Sequence, residues 1–222
     1  MASVKRERRE KGFYSSLHNT TSEDILPICK KVRRIKGTGR LWEVERLISR
    51  RSTKGKTEFL VQWKGFSPYE ASWQDESEIT PECLRLFFNP SLEQMTIYNE
   101  VATLRAAVEG HLLSKSRLPV TVTFRGDVFR WLFENKGNKE KGWLYLYKRH
   151  FHKKYFPPMW DHCCDSHGQG IKVFYPMKIR AFISWSPKKY YLKGGKYIPC
   201  SRLYLERATF SFVKVALCDS DD

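Results

Sequence analysis

The rhythm of apolar and polar positions changes near Trp42. Upstream, residues 1–40 hold polar Ser/Thr/Asn stretches and two basic clusters, Lys5 to Arg9 and Lys30 to Lys36, with little periodic apolar content; this composition predicts a mostly disordered tail. Downstream, Val44, Leu47 and Ile48 mark a first strand that runs to the turn signal Lys54-Gly55, and Glu58 to Trp63 reads as its hairpin partner. Lys64-Gly65-Phe66-Ser67-Pro68 supplies a second turn and Ser72-Trp73-Gln74 a short third strand. Pro81 suits the first turn of a small helix through Phe88. Phe59, Leu60, Trp73 and Phe87 are the expected core of this small unit.

After Asn89-Pro90 the period lengthens. Met95, Tyr98, Val101, Leu104, Val108 and Leu112 recur at helical spacing, and Ser91 with Gln94 three residues on forms a possible capping box. Pro119 to Phe124 alternates as a strand. Asp127 is placed to cap a short helix through Phe133, and Gly137 falls where that helix should end. Aromatic-rich strands are then predicted at Trp143–Tyr147, Ile171–Tyr175, Ile179–Trp185 and Leu203–Leu217, with Gly194-Gly195 as a hairpin signal. The chain thus divides into a basic tail (1–40), a three-stranded antiparallel sheet closed by a helix (41–88), a second α+β domain rich in antiparallel strands (89–217) and a short acidic tail (218–222). The overall class is α+β.

Charge sharpens this division. The 222 residues carry a formal net charge of +16, and its distribution is uneven: +7 over residues 1–40, −1 over 41–88 and +10 over 89–222. A near-neutral module between two basic ones favours polyanionic partners for the flanks, with Lys30, Lys31, Arg33, Arg34, Lys153, Lys154, Lys188 and Lys189 as candidate DNA or RNA contacts. Lys178 and Arg180 lie on strands whose rings could stack against bases. The alternative for these lysines is an ordinary solvated surface. No apolar run reaches membrane-spanning length, and the N-terminus is charged where a leader would be apolar, so a soluble intracellular protein is expected. Six scattered cysteines fit free thiols in a reducing compartment.

The run from Trp42 to Ile48, then Lys54-Gly55-Lys56, then Phe59-Leu60-Val61-Gln62-Trp63-Lys64-Gly65-Phe66, then Ser72-Trp73, resembles the chromodomain of the heterochromatin-protein and Polycomb families. The resemblance covers about a fifth of the chain. It implies that Trp42, Trp63 and Phe66 form an aromatic cage around a methylated lysine. A methylated ammonium keeps its charge but loses hydrogen-bond donors, so the negative faces of rings can replace water around it. It also implies a histone-tail peptide, most simply from histone H3, added as a strand beside Glu43 and Val44. Glu70 then stands beside the cage, and Ser72 and Glu78 border the peptide.

The sequence departs from the family pattern at four points. Trp42 stands where the heterochromatin proteins usually have Tyr. Gln74-Asp75-Glu76 follows Trp73 in place of Glu-Pro-Glu, and Glu78 replaces a frequent Asn. The basic Lys36 to Arg40 stretch also opposes long-range attraction of a basic tail.

The expected function is a nuclear, chromatin-bound methyl-lysine reader in heterochromatin or transcription regulation, with basic flanks adding nucleic-acid or nucleosome affinity. Two alternatives stay open. The run Ser77 to Leu84 also resembles chromodomains appended to retroelement polyproteins, which gives a transposon-derived protein; a degenerate chromodomain could instead serve as a protein-interaction scaffold. His150, His152, His162, Cys163, Cys164 and His167 lack the paired spacing of structural zinc, so no metal is expected. No phosphate loop, nucleophile elbow or zinc-protease motif occurs, so neither cofactor nor enzymatic activity is expected.

Overall fold

The computed structural model describes residues 42–217 except 54, 168, 188, 200 and 201. Lys30, Lys31, Arg33, Arg34 and Lys188, and both expected tails, therefore lie outside the described residues.

The first sheet follows from alternation and tight turns. Strand β1 (Val44–Thr53) pairs antiparallel with β2 (Lys56–Trp63), which pairs with β3 (Ser72–Asp75). Helix α1 (Pro81–Phe88) closes one face, with Pro81 in its first turn and the Thr80 hydroxyl accepting from the Cys83 N–H. Leu47, Phe59, Val61, Ile79 and Phe87 form a small buried core, and Val44, Trp63, Cys83 and Leu84 pack on its edge. Trp73, expected in that core, is only half-buried. It lies beneath the Arg51 guanidinium at 4.1 Å and meets Tyr204 edge-on at 6.3 Å.

A 20-residue helix, α2 (Gln94–Leu113), starts the larger region. Its N-cap position is Glu93 and makes no side-chain cap, so the Ser91–Gln94 capping box does not form. Leu92 explains the delay, because the extended segment before the helix uses it to reach the main core. The buried face is Ile97, Val101, Leu104, Val108, His111 and Leu112, while Met95 and Tyr98 stay exposed. Lys214 Nζ donates to the carbonyls of His111, Ser114 and Ser116, a cation placed on the negative end of the helix.

Helix α3 (Gly126–Phe133) begins two residues earlier than expected, with Arg125 at the N-cap position. Asp127 sits inside its first turn and is not its cap; its carboxylate is drawn instead to Arg125 and to the Val128 N–H. The remaining strands are β4 (Val120–Thr123), β5 (Asn138–Glu140), β6 (Trp143–Leu146), β7 (His162–Cys164), β8 (Gly170–Trp185) and β11 (Tyr204–Ala216), which form a six-stranded sheet in the order β4-β11-β8-β6-β5 with β7 beside β8. The two strands expected at 171–175 and 179–185 are one. Opposite Phe212 the register shifts, and this bulge takes Tyr175 to Met177, where Pro176 forfeits no ladder bond.

Val101, Leu104, Val128, Phe133, Leu146, Ile179 and Phe210 anchor the core between helices and sheet. Among the described residues, Trp42 to Ser186 and Leu203 to Leu217 pack together as one compact unit. A separate two-stranded hairpin, β9 (Tyr190–Lys193) with β10 (Lys196–Pro199), turns at Gly194 and Gly195, both at positive φ.

One turn in the larger region is sharply constrained. Gly137 has φ +68°, and a Cβ there would lie 2.2 Å from the Tyr145 carbonyl oxygen. Gly137→Ala should lower Tm by about 2–8 °C, from the cost of a left-handed non-glycine residue alone; thermal scanning measures it.

Candidate functional site

The candidate site sits where the start of β1 meets the turn after β2. The Lys64 N–H donates to the Glu43 carbonyl at 3.0 Å, and the Phe66 N–H donates to the Trp63 carbonyl at 3.2 Å. Gly65, at φ +77°, makes that turn possible. These bonds bring Trp42 against Phe66, whose ring centroids are 5.3 Å apart in an edge-to-face arrangement. Trp42 is 51% exposed although it is a large aromatic, so its ring is open to a ligand.

Trp63 behaves differently. Its indole N–H donates to Ser72 Oγ at 2.9 Å, and the ring packs on the edge of the small core. Its partner is fixed in turn, since Gln74 Nε2 also donates to Ser72 Oγ.

Two carboxylates near the rings are already engaged. Glu43 accepts from Lys64 Nζ at 2.6 Å, and this hydrogen bond and charge hold the Lys64 ammonium above its ordinary pKa. Glu70 accepts from the Ser67 N–H at 2.9 Å while the Ser67 hydroxyl accepts from Tyr69, a reciprocal cap that rigidifies the turn. Glu70 thus has a structural partner that sequence reasoning missed, although Ser67-Pro68-Tyr69-Glu70 carries the capping-box signature. Val44 packs on the small core, and Glu78 is exposed in the short 3-10 turn Glu76–Glu78. Trp42, Glu43, Val44, Trp63 and Phe66 therefore lie close together, whereas Glu78 belongs to the segment after β3.

Sequence reasoning also missed the charged cluster under β1. Arg46 points away from the rings and pairs through both terminal nitrogens with Glu206 on β11, with Asp127 3.8 Å away. Glu206 also accepts from the Gly126 N–H at 2.8 Å. Burial alone would raise the Asp127 pKa, but the Arg125 hydrogen bond and the Arg46 and Arg125 charges hold it below the usual carboxylate range. Burial opposes the charge of Arg46, and Glu206 and Asp127 more than offset it. Arg130 adds a second tie from α3, donating to the Phe87 carbonyl at 3.0 Å with its guanidinium 3.9 Å from the Phe87 ring.

Elsewhere, Lys153 and Lys154 are exposed, Lys154 lying 5.4 Å from the Tyr155 ring, and Lys189 is exposed. The His/Cys segment is divided among separate tasks. His150 accepts from the Tyr147 N–H, and Asp161, buried, binds His162 and the Tyr175 hydroxyl. Among the described residues, no group of three or more His, Cys, Asp or Glu side chains could hold a metal.

The fold defines a small module: three strands, a closing helix and aromatic side chains at the sheet's rim. Residues 42–89 match the Chromo (CHRromatin Organisation MOdifier) domain, and this part of the chain is a chromodomain. The human chromobox protein homolog 8 is 36% identical over 59 residues, 27% of this chain and 15% of that protein. The mouse and human chromodomain Y-like protein 2 are each 42% identical over 43 residues, 19% of this chain and 8% of theirs. The chain thus spans less than a sixth of the length of these relatives. No family model matches the C-terminal region.

Proposed function

We propose that this protein is a nuclear chromatin factor that reads methylated lysine on a histone tail, most simply histone H3, and carries out no catalysis. The observation that supports this best is the exposed Trp42 ring set edge-to-face against Phe66 within a chromodomain, one turn from Trp63. Open aromatic faces gain little from water, whereas a quaternary ammonium gains from several of them at once. The peptide adds as a strand beside Glu43 and Val44, with Ser72, Glu70 and Glu78 on the other side of its path. The basic flanks, from Lys30 to Arg34 and at Lys153, Lys154, Lys188 and Lys189, add a second, salt-sensitive attachment to nucleic acid or the nucleosome.

Calorimetric titration of the full chain with trimethylated and unmodified H3 peptides tests the reading. The expected result is at least tenfold tighter binding of a methylated form. Equal binding with and without methyl groups would leave the module as an interaction scaffold.

A further inference from the structure

The outer face of the six-stranded sheet has no role in the module just described. Its composition is unusual. Strand β8 points Ile179 and Met177 into the core, both fully buried, so the alternate positions Lys178, Arg180 and Phe182 face outward and are exposed. Register extends the pattern across the sheet: Lys178 lies between Tyr145 and Ser211, Arg180 opposite Thr209, and Phe182 opposite Arg207, with Thr121 and Thr123 beyond. Beyond the bulge, Phe174, 57% exposed, stands opposite Val213.

Cations and rings are interleaved on this face. Lys178 Nζ lies 5.4 Å from the Tyr145 ring, and the Arg180 guanidinium lies 4.6 Å from Trp143 and 5.6 Å from Phe182. Arg207 is steadied by Nε donating to Ser184 Oγ at 3.0 Å. The outward positions of β8 and β11 from Lys178 to Ser184 and from Leu205 to Ser211 hold no carboxylate. Glu140, on the edge strand opposite Trp143, carries the acidic charge on this face among the described residues and lies 3.9 Å from Lys141.

We propose that this sheet face binds single-stranded nucleic acid, with Arg180, Lys178 and Arg207 on phosphates and Phe182, Tyr145 and Trp143 as stacking platforms. This narrows the nucleic-acid part of the proposed function to one surface and does not depend on the methyl-lysine cage. The chemistry selects unpaired strands. Rings standing on a sheet offer faces to bases, and in a duplex those base faces are already stacked on one another. Cations set among the rings neutralise phosphates, and the exposed Thr121 and Thr123 keep the face polar enough for a sugar-phosphate backbone.

Fluorescence anisotropy of the full chain with labelled oligouridine and oligothymidine of about 15 nucleotides, against a duplex of the same length, tests the proposal. Binding of either single strand in preference to duplex is expected. Lys178→Glu with Arg180→Glu should weaken it by tenfold or more and flatten its salt dependence, by about 0.7 in log–log slope for each phosphate no longer neutralised. Phe182→Ala should weaken binding about tenfold with the salt slope unchanged. Circular dichroism and thermal melts confirm that the variants fold. Lys153→Glu with Lys154→Glu, which removes part of the basic flank, should lower affinity for single strand and duplex alike and leave the preference for single strand unchanged. A loss of affinity confined to that second pair would overturn the sheet-face proposal while leaving the basic-flank reading intact. Absence of binding at low salt would remove both, and duplex bound as tightly as single strand, or wild-type affinity in the Lys178/Arg180 variant, would also overturn the sheet face.

Discussion

Arg46→Ala should destabilise the protein by about 3–5 kcal/mol, because it removes one member of a buried ion pair and leaves Glu206 desolvated without its partner. Arg46 is 21% exposed and Glu206 9%, so solvent cannot take over the role. Chemical denaturation of the two proteins measures the difference. A destabilisation below about 1 kcal/mol would match an exposed surface pair and contradict the geometry. The same cluster makes stability depend on pH. Asp127 has a folded-state pKa below its ordinary value, so its contribution is full above the ordinary carboxylate range and is lost as pH falls through the depressed value. Arg46→Ala should flatten that acid limb.

Trp42→Ala should weaken binding of a trimethylated peptide by about tenfold while leaving binding of the unmodified peptide and Tm nearly unchanged. Half of the ring is exposed and it packs on Phe66, so the substitution removes little of the module's own packing. Trp63→Ala is a less selective test, since it also deletes the bond to Ser72 and part of the small core's edge. Parallel titrations of the two variants with methylated and unmodified peptide separate a ring that meets ligand from one that also holds the module together. Unaltered methyl selectivity in Trp42→Ala would count against the cage.

Much of the fold was legible because it rests on local signals. The three strands around Leu47, Leu60 and Trp73, and the helix after Pro81, follow from alternation, Gly turns and a proline at a first helical turn. The helix that buries Val101, Leu104 and Val108 follows from its period. The misreadings arose where distant residues outweighed local pattern. Leu92 delayed the start of α2, Asp127 was drawn from capping to the Arg125 and Arg46 charges, and the bulge carried β8 through Pro176. Trp73 looked like core because of its size, but it packs against Arg51 and Tyr204, and its meeting with Tyr204 is set only by long-range folding.

The candidate site was legible to a similar degree. The spacing of Trp42, Trp63 and Phe66 could be read from the chain, whereas the engagement of Glu70 by Ser67, of Glu43 by Lys64 and of Arg46 by Glu206 depends on side-chain geometry. A capping-box search would have found the first of these. No sequence signal pairs residues 46 and 206.

The Arg46–Glu206 pair also constrains how such a protein can evolve. A mutation at either position strands a charge, so over generations the two are expected to covary or be replaced together despite lying 160 residues apart. A gene rearrangement that separated the chromodomain from the β8–β11 region would free position 46 to become a small or neutral residue.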